Sequence, residues 1–408
     1  MKRVPLEIAA LACAVCAAGW LVSPAHAAHP MPRPAAAQGG SASSSAQTGE
    51  DPSKANDEYA REFRRGVELL TARKLDEGLA AMRRCAQLRP TDPRPVYNIA
   101  CGHALKGEVD AGLEHLQRAV DLGIVFVEAD GLNMLASADS DLAALRTDER
   151  FAALVERCKA QIAKVEAYAA TPLVYVPAAL ESAERVPLLV VVHDHGDTKE
   201  GAFAKGPWKQ LADELGYALV IPSGRAPLHF GPEVAPEKGM TWFRRVEDYE
   251  KEHWKYDAAI EQAVAGVRKQ RKLDPERVHI VGVGLGAMLA FNVALTSPGL
   301  YKGVVAHNGA LNFRIVGPRL DNARKLGLRT QLLMPREPRG MFANTSVEDY
   351  ERLVVQMQAA LANTKLAGGL ERCAAPNAEA PVDGAALRAA LAALAARPSP
   401  AAPRTDGQ

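Results

Sequence analysis

Apolar residues along this chain change their spacing near residue 170. From Asp57 to Tyr168 they recur at three- and four-residue steps, the signature of amphipathic helices packed by one face. Beyond Thr171 they collect into short runs at residues 173–176, 187–192, 217–222, 277–281, 303–306 and 331–334, rich in Val, Leu and Ile. Runs of that length read as strands buried on both faces. Helical stretches at 208–215, 254–271, 287–295 and 384–396 lie between or after them. Strands alternating with helices predict a mostly parallel sheet covered on both sides. The expected fold class is therefore α followed by α/β.

The helical part repeats. Gly66, Gly78, Met82, Cys85 and Pro90 recur 34 residues later as Ala100, Gly112, Leu116, Ala119 and Ile124. Small residues at these offsets let paired helices approach closely, and the period resembles the tetratricopeptide repeat. Val96 stands where that family favours Trp, and Ile124 replaces the closing proline. The run Asp139 to Arg146, with Arg150 and Phe151, looks like the ending of a short array, so five or six helices are expected up to Tyr168. The resemblance implies either a protein or peptide partner for residues 57–168 or a buttress for the following domain.

Composition adds little bias. The net charge of +1 favours neither nucleic acid nor an anionic surface, and aromatic residues make up only 5% with no basic stripe among them. The N-terminus is more telling. Lys2 and Arg3, an apolar run over 8–22 and Ala25-His26-Ala27 have the order of a secretory signal peptide cut after Ala27. The protein is thus expected to be exported, periplasmic or secreted. Residues 28–56, rich in Ala, Ser, Gly, Gln and Pro, read as a disordered linker, and 398–408 as a disordered tail. Cys13 and Cys16 lie in the leader. Cys85, Cys101, Cys158 and Cys373 lack metal-ligand spacing; buried thiols are expected, with Cys85 and Cys101 the pair to test for a disulfide.

Candidate chemistry centres on residues 277–307. A strand, the turn Gly282-Val283-Gly284-Leu285-Gly286 and a helix form the setting in which a G-x-S-x-G nucleophile is presented. Upstream, a strand ends in His193-Asp194-His195-Gly196-Asp197, similar to an L-H-G-x-G-D loop. Trp242-Phe243, the stretch Asp274 to Val278 and the strand 303–306 follow in order. Together these resemble the α/β-hydrolase superfamily, in its phospholipase/carboxylesterase or dienelactone-hydrolase-like branches, over a domain at 169–397. The resemblance implies an oxyanion loop at His193, Asp194, His195 and Gly196, oxyanion amides at His195 and Leu285, and an aromatic pair, Trp242 and Phe243, lining the acyl side of a pocket.

The catalytic side chains do not carry over. Gly284 occupies the serine position; Pro335-Arg336-Glu337-Pro338 offers only Glu337 near the aspartate slot; and no histidine follows His307. Acyl transfer needs a nucleophile, a base in reach of it and a group orienting that base. The expected protein is a pseudo-esterase binding a partner, or an acyl or ester-like ligand in a vestigial pocket, with no metal and no cofactor. The alternative is an active carboxylesterase with a relocated set drawn from His193, His195, His229, His253, Asp194, Asp197 and Ser223. A metal on His193, Asp194, His195 and Asp197 is disfavoured because neighbours on one loop point apart. A dinucleotide reading of Gly282-x-Gly284-x-x-Ala287 fails at the next strand, which ends in His307-Asn308 instead of an acidic residue.

Overall fold

The computed structural model describes residues 52–127, 131–243, 246–311, 319–343, 345–374 and 382–396. The expected leader with Cys13 and Cys16, most of the linker and the tail lie outside the described residues. The chain divides into two units. One is helical and runs to Ala163 with Phe230–Val234 added; the other holds Lys164–His229 and the rest from Ala235. The boundary falls inside a helix, Glu149–Ala170, a few residues before the division expected at 168.

In the helical unit, α1 (Pro52–Thr71), α2 (Leu75–Leu88), α3 (Pro93–Leu105) and α4 (Val109–Asp121) follow one another through short turns, and α5 is Glu149–Ala170. The first helix starts at Pro52, so the end of the expected linker, 52–56, is helical. Asp92 caps α3 by accepting from the Arg94 amide, with prolines in the first turn where no donor is needed. The repeated small residues sit at the closest approaches: a Cβ on Gly66 would press on Met82 and Ala81, one on Gly78 on Leu70, and one on Gly112 on Leu145. Met82, Cys85, Leu116 and Ala119 are fully buried behind them. All four described cysteines are buried free thiols.

The second unit is a seven-stranded sheet in the order β1-β3-β2-β6-β7-β8-β9. The strands are β1 (Leu173–Tyr175), β2 (Val186–Val192), β3 (Ala218–Ile221), β6 (Leu273–Val283), β7 (Gly303–His307), β8 (Arg329–Pro335) and β9 (Ala367–Cys373). Only β1 runs antiparallel to its neighbour. A separate ribbon, β4 (Ala226–Pro227) with β5 (Met240–Thr241), interrupts the loop after β3. Every residue of β2 is buried. Its Leu188, Val190 and Val192 join one core, and Leu189 and Val191 the other. The first core is closed by α8 (Val246–Gln270), α9 (Leu285–Thr296) and α11 (Val347–Thr364). The second is closed by α7 (Trp208–Leu215) and α12 (Gly384–Ala395). Short helices α6 (Lys199–Lys205) and α10 (Leu320–Lys325) complete the unit.

Two boundaries differ from the sequence reading. The helix expected from Trp254 begins at Val246, because Tyr249, Tyr256, Ile260, Val264 and Val267 form one stripe that reaches the core two turns earlier. The strand expected over 277–281 begins at Leu273: Val186 pairs with Leu273 but Leu188 with Val278, so the bulge absorbs Pro275, which has no ladder donor. Among the described residues no helix is long and apolar enough to cross a membrane.

Candidate functional site

Three adjacent strands deliver the candidate residues to one edge of the sheet. Val192 pairs with Gly282 and Val283 with His307, so the segments after β2, β6 and β7 emerge side by side at the carboxyl ends of their strands. In open α/β sheets that edge is where ligands bind.

Gly284 sits at the centre, with φ 55° and ψ −118°. Its N–H donates to His307 O at 2.9 Å and its carbonyl accepts from Ala287 N at 3.1 Å. A side chain here is strained, and glycine is not. The flanking glycine matters for approach: a Cβ on Gly286 would overlap the carbonyls of Val192 and His193.

The amides expected to form the oxyanion hole do converge, and they converge on a group of the protein itself. Asp194 Oδ1 accepts from His195 N at 2.7 Å and from Leu285 N at 2.8 Å. The carboxylate therefore occupies the position that a developing oxyanion would take. A Cβ on Gly284 would overlap all three heavy atoms of that carboxylate, so a serine and the present Asp194 cannot share the turn. Asp194 is half-buried. Burial pushes its carboxyl up to about 6, against the pull of the two amides, and Asp197 adds to the rise.

This shift carries a prediction. Between the ordinary carboxyl value of 3.8 and about 6 the folded chain holds a proton that the unfolded chain releases. Stability contributed by this group is therefore highest at low pH and is lost as pH rises through that window. Asp194→Asn removes the slope. Chemical denaturation at pH 4.5 and pH 7 should show the variant gaining about 2 kcal/mol on the native protein between the two, the full shift being reduced by the residue's partial exposure.

The histidines of the loop have structural duties. His193 is 1% exposed; its Nε2 accepts from Gly224 N at 3.0 Å and its Nδ1 donates to Asp194 O at 2.8 Å. Both nitrogens are engaged, which fixes a neutral ring and leaves no lone pair for a metal or a substrate proton, in keeping with a pKa lowered by burial. His195 Nδ1 meets Thr241 Oγ1 at 2.9 Å, and that hydroxyl donates to Phe243 O at 3.0 Å. Gly196 has φ 81° and its N–H donates to Met240 O, tying the loop to the ribbon. Asp197 Oδ1 accepts from Thr198 N and Lys205.

Trp242 and Phe243 are 0% and 1% exposed. The indole N–H donates to His193 O at 2.9 Å, and Phe243 stacks on Tyr249 with ring centres 4.9 Å apart. They form the wall behind the loop: both rings are buried in the core that α8 helps to close, Trp242 against His193 and Phe243 against Tyr249 and Tyr256.

Among the described residues, Ser223, His253, Glu337 and His307 are each held by other partners. Ser223 is 1% exposed and its hydroxyl donates to Gly224 O. His253 pairs with Asp257 at 3.2 Å, and Glu337 with Arg339 at 3.1 Å. His307 points to Cys373 Sγ, 3.8 Å from its Nε2, and accepts from Asp383 N at 3.4 Å. Burial holds His307 down to about 4 and pushes the Cys373 thiol up to about 11, so neither exchanges protons readily near neutrality. No group of three metal-ligating side chains exists among the described residues.

Sequence reasoning missed Asn308. It follows His307 directly, has φ 51° and is 3% exposed. Its Nδ2 donates to Arg339 O at 3.2 Å, which fixes the amide orientation, and its Oδ1 is buried without a partner. The helical unit also has a cavity of about 260 Å³ lined by Arg83, Ala86, Gln87, Val96, Ile99, His115 and Arg118.

Residues 179–325 match the phospholipase/carboxylesterase family model. No curated protein matches the chain. Among solved structures it is similar to esterase PE8, at 16% identity over 55% of this chain and 97% of that one, with a TM-score of 0.39. It is also similar to an S-formylglutathione hydrolase from Agrobacterium tumefaciens, at 15% over 54% and 87% with a TM-score of 0.36. An acetyl xylan esterase from Aspergillus awamori matches at 15% over 54% and 92%, with a TM-score of 0.35.

Proposed function

We propose that this α/β-hydrolase of the phospholipase/carboxylesterase type has kept the fold of an acyl-transfer enzyme without its chemistry, and that it works, after export, as a binding protein. The observation that carries this reading is the Asp194 carboxylate seated on the His195 and Leu285 amides beside a glycine elbow. An ester entering the crevice finds no attacking atom at Gly284, and the donors that would stabilise its tetrahedral oxyanion already hold a charge. The same carboxylate would repel that oxyanion.

Binding is assigned to both units. The tetratricopeptide-like helices offer a cavity with an apolar floor at Val96 and Ile99 and a rim carrying Arg83 and Arg118, suited to a segment of a partner protein. The crevice of the second unit is suited to a small ligand.

The test uses purified protein with short-chain p-nitrophenyl esters and a fluorophosphonate probe read by intact-mass detection. No turnover above buffer and no mass increase are expected. A stoichiometric label, or turnover abolished by the probe, would overturn the reading, and peptide mapping would then identify the nucleophile.

A further inference from the structure

At the carboxyl ends of β2, β6 and β7 the chemical polarity is the opposite of that of an oxyanion site. Where backbone N–H groups would face a ligand oxyanion, Asp194 Oδ1 consumes both donors. Its Oδ2 has no hydrogen-bond partner among the described residues, so the crevice presents an acceptor in place of donors. Among the described residues, the charged side chain that acts on this carboxyl is Asp197, which has the same sign.

A second unpartnered acceptor lies on the segment that leaves the neighbouring strand β7. Val283 pairs with His307 across the sheet, and Gly284 N–H is bonded to His307 O. Asn308 is therefore the residue beside the elbow. Its amide nitrogen is spent on the Arg339 carbonyl and its oxygen is left buried and unpartnered in a left-handed backbone position. A buried acceptor without a donor is costly to keep, and strained, unsatisfied residues cluster where ligands bind.

We propose that this crevice binds a cationic hydrogen-bond donor, specifically a primary ammonium group, held by Asp194 Oδ2 and Asn308 Oδ1. An ammonium carries three donors and one positive charge. It can satisfy a carboxylate and an amide oxygen together, which neither a carboxylate ligand nor a quaternary ammonium can do. The inference rests on the reading that the elbow no longer transfers acyl groups, since it gives the oxyanion hole a permanent occupant.

The probe is n-butylammonium chloride titrated into the full chain at pH 7.5, followed by ligand-observed NMR. Butyrate and tetramethylammonium serve as comparisons. Saturable binding in the millimolar range is expected for butylammonium, with neither comparison saturating. Asp194→Asn, which keeps the side chain's shape and can still accept from both amides, should weaken binding at least tenfold. Asn308→Gly, which tolerates the backbone conformation, should weaken it about threefold or more. Thermal melts on both variants confirm that the fold is present. Butyrate binding as tightly as butylammonium, an affinity unchanged by Asp194→Asn, or the absence of saturation would each overturn the proposal. Labelling by the fluorophosphonate probe would instead sink the non-catalytic reading, and the two failures are distinguishable because one is covalent and the other is a titration.

Discussion

Gly284→Ser should lower the melting temperature of the sheet-bearing unit by about 6–12 °C and create no esterase. Two costs add. The backbone at φ 55° strains any side chain by about 1–3 kcal/mol. The new Cβ must also expel the Asp194 carboxylate from the His195 and Leu285 amides, and charge-assisted hydrogen bonds of this kind contribute about 1.5–3 kcal/mol each. Allowing for water replacing part of the loss, the sum is about 3 kcal/mol, at roughly 2–4 °C per kcal/mol for a unit of this size. The diagnostic is the double variant. Asp194→Gly combined with Gly284→Ser removes the collision and leaves only the strain, so the pair should couple favourably by about 2 kcal/mol. Even then no turnover is expected, because His193 has both ring nitrogens engaged and His307 faces Cys373. A Gly284→Ser protein melting with the native one would show that the carboxylate is not anchored as described.

The second large effect is acid lability. His279 is fully buried in β6 with Tyr217 Oη 2.8 Å from its Nδ1, and its Nε2 has no partner. His307 is fully buried in β7 with Nδ1 unpartnered. Burial lowers both to about 4, and Arg329 and Arg277 help to lower His279. Unfolded histidines take up protons near pH 6.5, which the folded chain refuses until about 4. Stability from these groups is thus complete above pH 6.5 and falls as pH drops through that window. Each contributes about 3 kcal/mol at most. Asp194 works in the opposite direction over part of the range, so the net loss between pH 6.5 and 4 is about 3 kcal/mol. Urea denaturation across that range should show it, and His307→Gln or His279→Gln should each leave the curve nearly flat, since the remaining histidine and Asp194 then roughly cancel. A flat profile in the native protein would refute the buried, neutral assignment.

The fold was legible because β2 is apolar along its whole length and α9 nearly so, and because the glycines of the elbow mark a tight strand-to-helix turn. Helix α7 matched its expected bounds because Trp208 and Leu211 define one face and Gly216 stops it. The start of α8 was hidden by the charged residues around Tyr249, whose single ring anchors that turn to the core. The glycine at the elbow was readable from Gly284 itself, a residue with no side chain. The role of Asp194 was not, since an aspartate in an oxyanion loop reads as solvated until its carboxylate is seen to span the gap to α9. Asn308 was invisible for a related reason: an unpartnered oxygen is a property of three dimensions. For Trp242 and Phe243, aromatic identity alone cannot tell a pocket wall from the packing behind it.

The strand order has a consequence for how the protein is made. Val186–Val192 is the central early strand, and its Leu188 pairs on one side with Ala218 but on the other with Val278. At synthesis rates of about 5–20 residues per second, the nascent chain carries one edge of this wholly apolar strand uncovered for about 5–20 s. The helices before it close on near neighbours and can fold as they emerge. The stretch most in need of a chaperone is therefore the one that later holds the Asp194 loop in place.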